Sequence, residues 1–125
     1  MDKKRVLLVD DETSFTWILK LSLERTGTYD VRTEHQGSRG LAAAKEFQPD
    51  LILLDVMMPD VDGSSVATQL KGDPVTQQIP IVFLTAAVAP EEADAQGGII
   101  GGYPFLAKPV TLERVVACLQ QYLGR

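Results

Sequence analysis

Short runs of apolar residues alternate along this chain with stretches whose apolar residues recur every three or four positions. The continuous runs predict buried strands at residues 5–9, 50–54, 80–84 and 103–107, and a weaker alternation predicts an edge strand at 30–34. The helical periodicity predicts helices at 13–26, 38–47, 64–71 and 111–123, and a further helix that begins at Pro90. Strands that alternate with helices indicate a parallel sheet with helices on both faces.

The apolar positions of the helices also predict which residues face the sheet. In the first helix this face is Phe15, Ile18, Leu19, Ser22 and Leu23, and in the last it is Leu112, Val115, Val116, Leu119 and Leu123. Trp17 is expected to be partly exposed, and Cys118 is expected to be a small packing residue. Four glycines fall in residues 97–102, and each costs a helix roughly 1 kcal/mol relative to alanine. We therefore expect the fourth helix to be short and this segment to be mobile.

Length, charge and cysteine content exclude several classes of protein. The 125 residues predict a single domain, 1–125, with no visible linker or repeat. The net charge of −5 argues against direct binding of nucleic acid, which requires a basic surface. Cys118 is the only cysteine, so neither an internal disulfide nor a cysteine-based metal cluster can form. Only four apolar residues follow the basic start, too few for a signal peptide or membrane helix, which predicts a cytoplasmic protein without membrane contact.

Polar residues with complementary chemistry follow four of the predicted strands: Asp10 and Asp11, Asp55, Thr85, and Lys108. Ligand sites of open α/β sheets lie at the carboxyl ends of the strands, so these side chains are expected to meet in one crevice. Carboxylates suit Mg²⁺, and a lysine suits a phosphoryl oxygen. Three clustered carboxylates repel one another, and a divalent cation relieves this repulsion.

Each of these residues also has an ordinary structural interpretation when it is considered alone. Asp11 could cap the first helix beside a solvated Asp10, Asp55 could start a turn, and Thr85 could simply end a strand. A lysine before a proline is usually a surface loop residue. The combination of all five residues is what favours a phosphoryl-transfer site.

The chain resembles the receiver domain of bacterial two-component response regulators, the CheY-like family, from residue 5 to about residue 123. The resemblance is carried by the sequences V-D-D-E (9–12), L-L-D-V-M-M-P-D-V-D-G (53–63), F-L-T-A (83–86) and F-L-A-K-P (105–109). It implies a single flavodoxin-like (βα)5 fold, a doubly wound parallel sheet with strand order 2-1-3-4-5. It also implies a signalling switch that catalyses only its own phosphorylation and dephosphorylation.

The same resemblance implies a role for each site residue. Asp55 is the implied phosphoacceptor, and its donor would be a histidine on a kinase or on a histidine phosphotransfer protein. Asp11 and Asp55 would ligate Mg²⁺ directly, Asp10 would act mainly through a water, and the Met57 carbonyl would complete the protein ligands.

The remaining implied roles concern the phosphoryl group and the switch. Thr85 and Lys108 would each contact a phosphoryl oxygen, and the Lys108–Pro109 peptide bond is expected to be cis. Thr85 would then move towards the phosphate and vacate space that Phe105 can rotate inward to fill. This shift would change the surface formed by the fourth helix, the fifth strand and the fifth helix. Phe105 stands where the family often has tyrosine, so the coupling is expected to be steric; a static core role for Phe105 remains the alternative.

Two other classes of function stay open at this point. A Mg²⁺-dependent phosphohydrolase with an aspartyl nucleophile would generally carry a second acid two residues after it, where this chain has Met57. A receiver that binds partners without phosphorylation would be expected to lack a site residue, and all five are present. The output partner is expected to be a downstream protein effector or an output domain outside this chain.

Overall fold

A six-stranded sheet organises the computed structural model, which describes residues 3–86, 99–100 and 103–124. Its strands are β1 (Lys4–Val9), β2 (Tyr29–Glu34), β3 (Leu51–Asp55), β4 (Ile81–Thr85), β5 (Ile99–Ile100) and β6 (Tyr103–Ala107). The parallel strands have the order β2-β1-β3-β4-β6, which confirms the predicted order 2-1-3-4-5, since β6 is the predicted fifth strand. The unpredicted β5 is two residues long and pairs antiparallel with β6.

Four helices are described: α1 (Thr13–Arg25), α2 (Gly40–Phe47), α3 (Gly63–Lys71) and α4 (Leu112–Leu123). A 3₁₀ turn, Gly37–Arg39, precedes α2 in the region that the sequence predicts as one longer helix. The side chain of Asp62 caps α3 by accepting a hydrogen bond from Ser65 N, and Thr111 caps α4 in the same way. The helix predicted to begin at Pro90 lies outside the described residues, as does the glycine-rich segment apart from β5.

Alternating side chains of the buried strands supply two hydrophobic layers. In β3, Ile52 and Leu54 face the layer that contains residues of α2 and α3, while Leu51 and Leu53 face the layer that contains residues of α1 and α4. All four side chains are fully buried. Burial of one such side chain stabilises the fold by about 1.5–3 kcal/mol, so the central strands are held firmly on both faces.

The inner faces predicted for two helices are wrong at one position each. Ile18 is 63% exposed, because the buried stripe of α1 runs through Thr16, Leu19 and Leu23 and a residue next to Leu19 points about 100° away from it. Leu112 is 37% exposed in the first turn of α4, beyond the part of the helix that covers the sheet. The structure confirms that Val115, Cys118 and Leu119 are buried. It also confirms that Trp17 is exposed.

In the part of the chain that the structure describes, no helix combines the length and the apolar character needed to cross a membrane.

Candidate functional site

The carboxyl ends of four strands meet at one edge of the sheet, and each delivers one of the predicted site residues. Val9 of β1 pairs with Leu54 of β3, so the residues that follow them, Asp10 and Asp55, lie side by side at the ends of neighbouring strands. Thr85 pairs with Ala107, and the backbone N–H of Lys108 donates to the Thr85 carbonyl at 2.7 Å. The structure therefore brings Asp10, Asp55, Thr85 and Lys108 to one crevice.

Three carboxylates form an acidic cluster in this crevice. One oxygen each from Asp10, Asp11 and Asp55 lies within 4.8 Å of the other two. Asp10 is fully buried, Asp55 is 4% exposed, and Asp11 is the most exposed of the three. Asp10 Oδ1 accepts a hydrogen bond from Glu12 N at 2.9 Å, whereas Asp10 Oδ2 is a buried oxygen that accepts no backbone hydrogen bond. Such an oxygen is costly unless a cation compensates it.

Lys108 is the cation that the structure places against this cluster. Its ammonium nitrogen lies 2.7 Å from Asp10 Oδ2, 2.5 Å from Glu12 Oε1 and 3.8 Å from Asp55 Oδ2. It also lies 4.9 Å from the centre of the Phe15 ring, on the α1 side of the crevice. The side chain of Lys108 is only 11% exposed, so its ion pairs with the buried Asp10 and Asp55 are screened less than those on the open surface.

Burial and like charge shift the acid–base equilibria of the cluster. Burial of the Asp55 carboxyl and its proximity to Asp10 raise its pKa to about 7, against an opposing effect of Lys108. Burial alone acts to lower the pKa of Lys108, but its hydrogen bonds to Asp10 and Glu12 outweigh burial and raise it. At neutral pH the isolated protein therefore holds a fully charged Lys108 beside an Asp55 that is only partly ionised.

The loop that follows Asp55 folds back sharply on the start of α3. Gly63 N donates to the Val56 carbonyl at 2.8 Å, and a side chain at Gly63 would overlap the Asp55 carbonyl and approach Val56 Cα to 2.8 Å. Met57 N donates to Asp55 Oδ1 at 3.3 Å, which places Met57 beside the acidic cluster. Only glycine permits this close approach at position 63.

A second tie fixes the far side of the same loop. The exposed carboxylate of Asp60 accepts hydrogen bonds from Gly37 N at 3.1 Å and from Ser38 N at 3.0 Å. These backbone hydrogen bonds, with that of Ser38 first in strength, lower the pKa of Asp60 below its usual range. A Cβ at Gly37 would lie 2.5 Å from the Val61 carbonyl, so the two loops are in direct contact.

Both of the predicted switch residues are buried. Thr85 is 1% exposed at the end of β4, and Phe105 is 4% exposed within the hydrophobic layer that includes Phe83. Phe83 and Tyr103 pack edge to face with ring centres 5.3 Å apart. The peptide bond between Lys108 and Pro109 is cis.

Sequence reasoning missed two contacts in this region. The first joins the Glu12 carboxylate to Lys108, 96 positions away in the chain. The adjacency of Glu12 to the acidic pair was the only signal for this contact. The tie between Asp60 and the backbone of residues 37–38 left no signal, because Asp60 lies in a segment that reads as turn chemistry alone.

Comparison with known proteins identifies the family that this fold and this arrangement of side chains represent. Residues 6–120 match the family model described as the response regulator receiver domain. The chain belongs to this family, whose members are the receiver domains of two-component signalling systems.

Individual relatives agree with the family match. The chain is 40% identical over 98% of its length to the alkaline phosphatase synthesis transcriptional regulatory protein PhoP of Bacillus subtilis, and covers 49% of that protein. It thus spans about half the length of several curated relatives.

Solved structures match over the whole fold. The chemotaxis protein CheY4 of Vibrio cholerae superposes with a TM-score of 0.81 at 30% identity, covering 97% of this chain and 99% of that one. The receiver domain of the sensor histidine kinase PA1611 of Pseudomonas aeruginosa gives a TM-score of 0.81 at 25% identity, covering 99% and 100%. That structure carries a magnesium ion in its active-site cleft.

Proposed function

We propose that this chain accepts a phosphoryl group on Asp55 in the presence of Mg²⁺, from a histidine on a kinase or on a histidine phosphotransfer protein. The observation that carries the proposal is the meeting of three carboxylates and Lys108 at the carboxyl ends of parallel strands. Formation of an acyl phosphate requires a carboxylate that attacks phosphorus, together with positive charges that neutralise the phosphoryl oxygens.

The donor set fits Mg²⁺, which prefers oxygen ligands and binds through one or two carboxylates together with phosphate. Asp11 and Asp55 would hold the ion directly, Asp10 would act mainly through a water, and the Met57 carbonyl would complete the protein ligands. The three carboxylates, which each place one oxygen within 4.8 Å of the other two, support a divalent cation at this position. When bound, the ion supplies neutralisation of the charge on the phosphoryl oxygens.

In the transfer itself, an oxygen of the Asp55 carboxylate forms a bond to phosphorus while the bond between phosphorus and the donor imidazole nitrogen breaks. The electron pair of that bond stays on the imidazole, and the product is an acyl phosphate on Asp55. Lys108 and the Thr85 hydroxyl would then each contact a phosphoryl oxygen and hold the product in place. Positioning and charge neutralisation are the whole of the protein's contribution.

The consequence of phosphorylation would be a change of surface. Thr85 would move towards the phosphoryl group, and Phe105, which already lies in the core, would follow and repack. The surface that responds includes β6 and α4 and would control a downstream protein effector or an output domain of a longer protein. Coupling through the Phe105 ring would be steric, since phenylalanine has no hydroxyl group.

The test is to incubate the protein with Mg²⁺ and acetyl phosphate and to read its intact mass, with Asp55→Asn as the comparison. A single phosphoryl adduct on the wild-type protein that is lost in the variant is the expected result. Addition of beryllofluoride, which mimics the bound group without being hydrolysed, covers the case of rapid turnover. Absence of both the adduct and a beryllofluoride complex would refute phosphorylation.

A further inference from the structure

The ammonium group of Lys108 lies closer to Glu12 than to the residue that it is proposed to serve. It is 2.5 Å from Glu12 Oε1 and 3.8 Å from Asp55 Oδ2. Asp10 is fully buried and part of the acidic cluster, but Glu12 is an outlying carboxylate at the start of α1. Lys108 is therefore shared between the proposed phosphoacceptor site and a carboxylate outside it.

Local structure fixes Glu12 in this position. Its backbone N–H donates to Asp10 Oδ1 at 2.9 Å, and its carbonyl accepts from Thr16 N at 3.0 Å, which begins α1. The centre of the Phe15 ring, in the first turn of α1, lies 4.9 Å from the Lys108 nitrogen. Glu12 and Phe15 thus form a cradle that holds the ammonium group on the α1 side of the crevice.

From this geometry we infer that Glu12 is a positioning residue that retains Lys108 and thereby slows capture of a phosphoryl group on Asp55. The inference rests on the proposed function, in which Lys108 contacts a phosphoryl oxygen. An incoming phosphoryl group must compete for this ammonium group with Glu12 and with Asp10, whose Oδ2 lies 2.7 Å from the Lys108 nitrogen. The Glu12 side chain is 58% exposed, so its ion pair is weak enough to be broken by this competition.

The direct test is the rate of phosphorylation by acetyl phosphate with Mg²⁺ in the Glu12→Gln variant. Loss of an ion pair of this exposure is expected to increase the rate about two- to five-fold. Glu46→Gln is the matched control: the Glu46 side chain is 66% exposed and pairs with Arg32 at 2.9 Å. Glu46 lies at the end of α2 that leads to the amino end of β3, at the edge of the sheet opposite the site. Its variant is expected to react at the wild-type rate.

A faster reaction could also arise because the variant repels the anionic donor less. The Lys108→Ala background separates the two causes, since without the ammonium group Glu12 has nothing to retain. If Glu12 acts through Lys108, adding Glu12→Gln to Lys108→Ala leaves the rate unchanged. If the rate still rises by the same factor, the effect is simple repulsion and the inference is wrong.

A second measurement needs neither metal nor donor. The ¹⁵N resonance of the Lys108 ammonium group in metal-free protein is expected to shift in Glu12→Gln and to stay in place in Glu46→Gln. A resonance and a rate that are both unchanged in Glu12→Gln would refute the role of Glu12 while phosphorylation of the wild-type protein stands. Failure of the wild-type protein to take up any phosphoryl group would refute the proposed function, and this inference with it.

Discussion

Removal of the Asp55 charge is expected to stabilise the metal-free protein, and increasingly so as the pH rises. The pKa of this carboxyl is about 7 in the folded protein, whereas its ordinary value is 3.8. Because the folded state binds the proton more tightly than the unfolded state, this group makes folding less favourable as the pH rises between those two values. Asp55→Asn removes that penalty.

The size of the effect follows from the shift. Between about pH 5 and about pH 7 the folded carboxyl is still largely protonated and the unfolded carboxyl is ionised, so stability falls by about 1.4 kcal/mol per pH unit. The advantage of Asp55→Asn over wild type should therefore grow by about 2–3 kcal/mol from pH 5 to pH 8 and then level off. An asparagine keeps an oxygen that can accept the Met57 N–H, so few other contacts change.

The assay is urea unfolding at several pH values in the presence of a chelator, with the free energy of unfolding obtained by linear extrapolation. The control is Asp30→Asn, which makes the same substitution at an exposed carboxyl on β2. A difference between Asp55→Asn and wild type that stays constant from pH 5 to pH 8 would refute the raised pKa.

Three further predictions test the loop and the core. Gly63→Ala should lower stability by about 1–3 kcal/mol in urea unfolding, because its Cβ would overlap the preceding loop; an unchanged midpoint would contradict that crowding. Leu53→Ala, in a fully buried strand, should cost about 2–5 kcal/mol, whereas Ile18→Ala, 63% exposed, should stay within about 0.5 kcal/mol; equal losses would contradict the observed burial. Asp60→Ala should lower the thermal midpoint at neutral pH. Because the pKa of Asp60 is lowered in the folded protein, its contribution to stability is present at neutral pH and is lost as acid protonates the carboxylate, so the difference from wild type should shrink in acid. A difference independent of pH would exclude the carboxylate as the cause.

The sequence predicted the strands and the residues at their ends because both depend on local pattern. A continuous apolar run such as 51–54 is stable only when both of its faces are buried, so it forms a central strand. The polar residue that follows it, Asp55, then lies at the carboxyl end of that strand. Strand order is different, because periodicity does not specify which strands are neighbours. The order 2-1-3-4-5 came from the family resemblance and was confirmed by the structure.

The features that the sequence did not predict are side-chain positions and contacts that depend on how the helices and strands pack together. Ile18 fits a helical apolar face as well as Leu19 does, but only one direction on α1 meets the sheet. The pairing of Glu12 with Lys108 joins residues 96 positions apart and depends on the position of β6 relative to α1. Such contacts are fixed only after the strands are in register, so no local pattern in the sequence predicts them.

An excess of negative charge connects the properties of the site. Asp10, Glu12 and Asp55 lie 2.5–3.8 Å from the ammonium nitrogen of Lys108, and Asp11 adds a third carboxylate to the cluster of Asp10 and Asp55. Protonation of Asp55, retention of Lys108 and binding of a divalent cation are three ways to reduce the same repulsion, and each makes the other two less necessary. It follows that saturating Mg²⁺ should favour the ionised form of Asp55, so the pH dependence expected for the metal-free protein should shrink. If the dependence persisted with Mg²⁺ bound, the cation and the Asp55 proton would not be sharing one site.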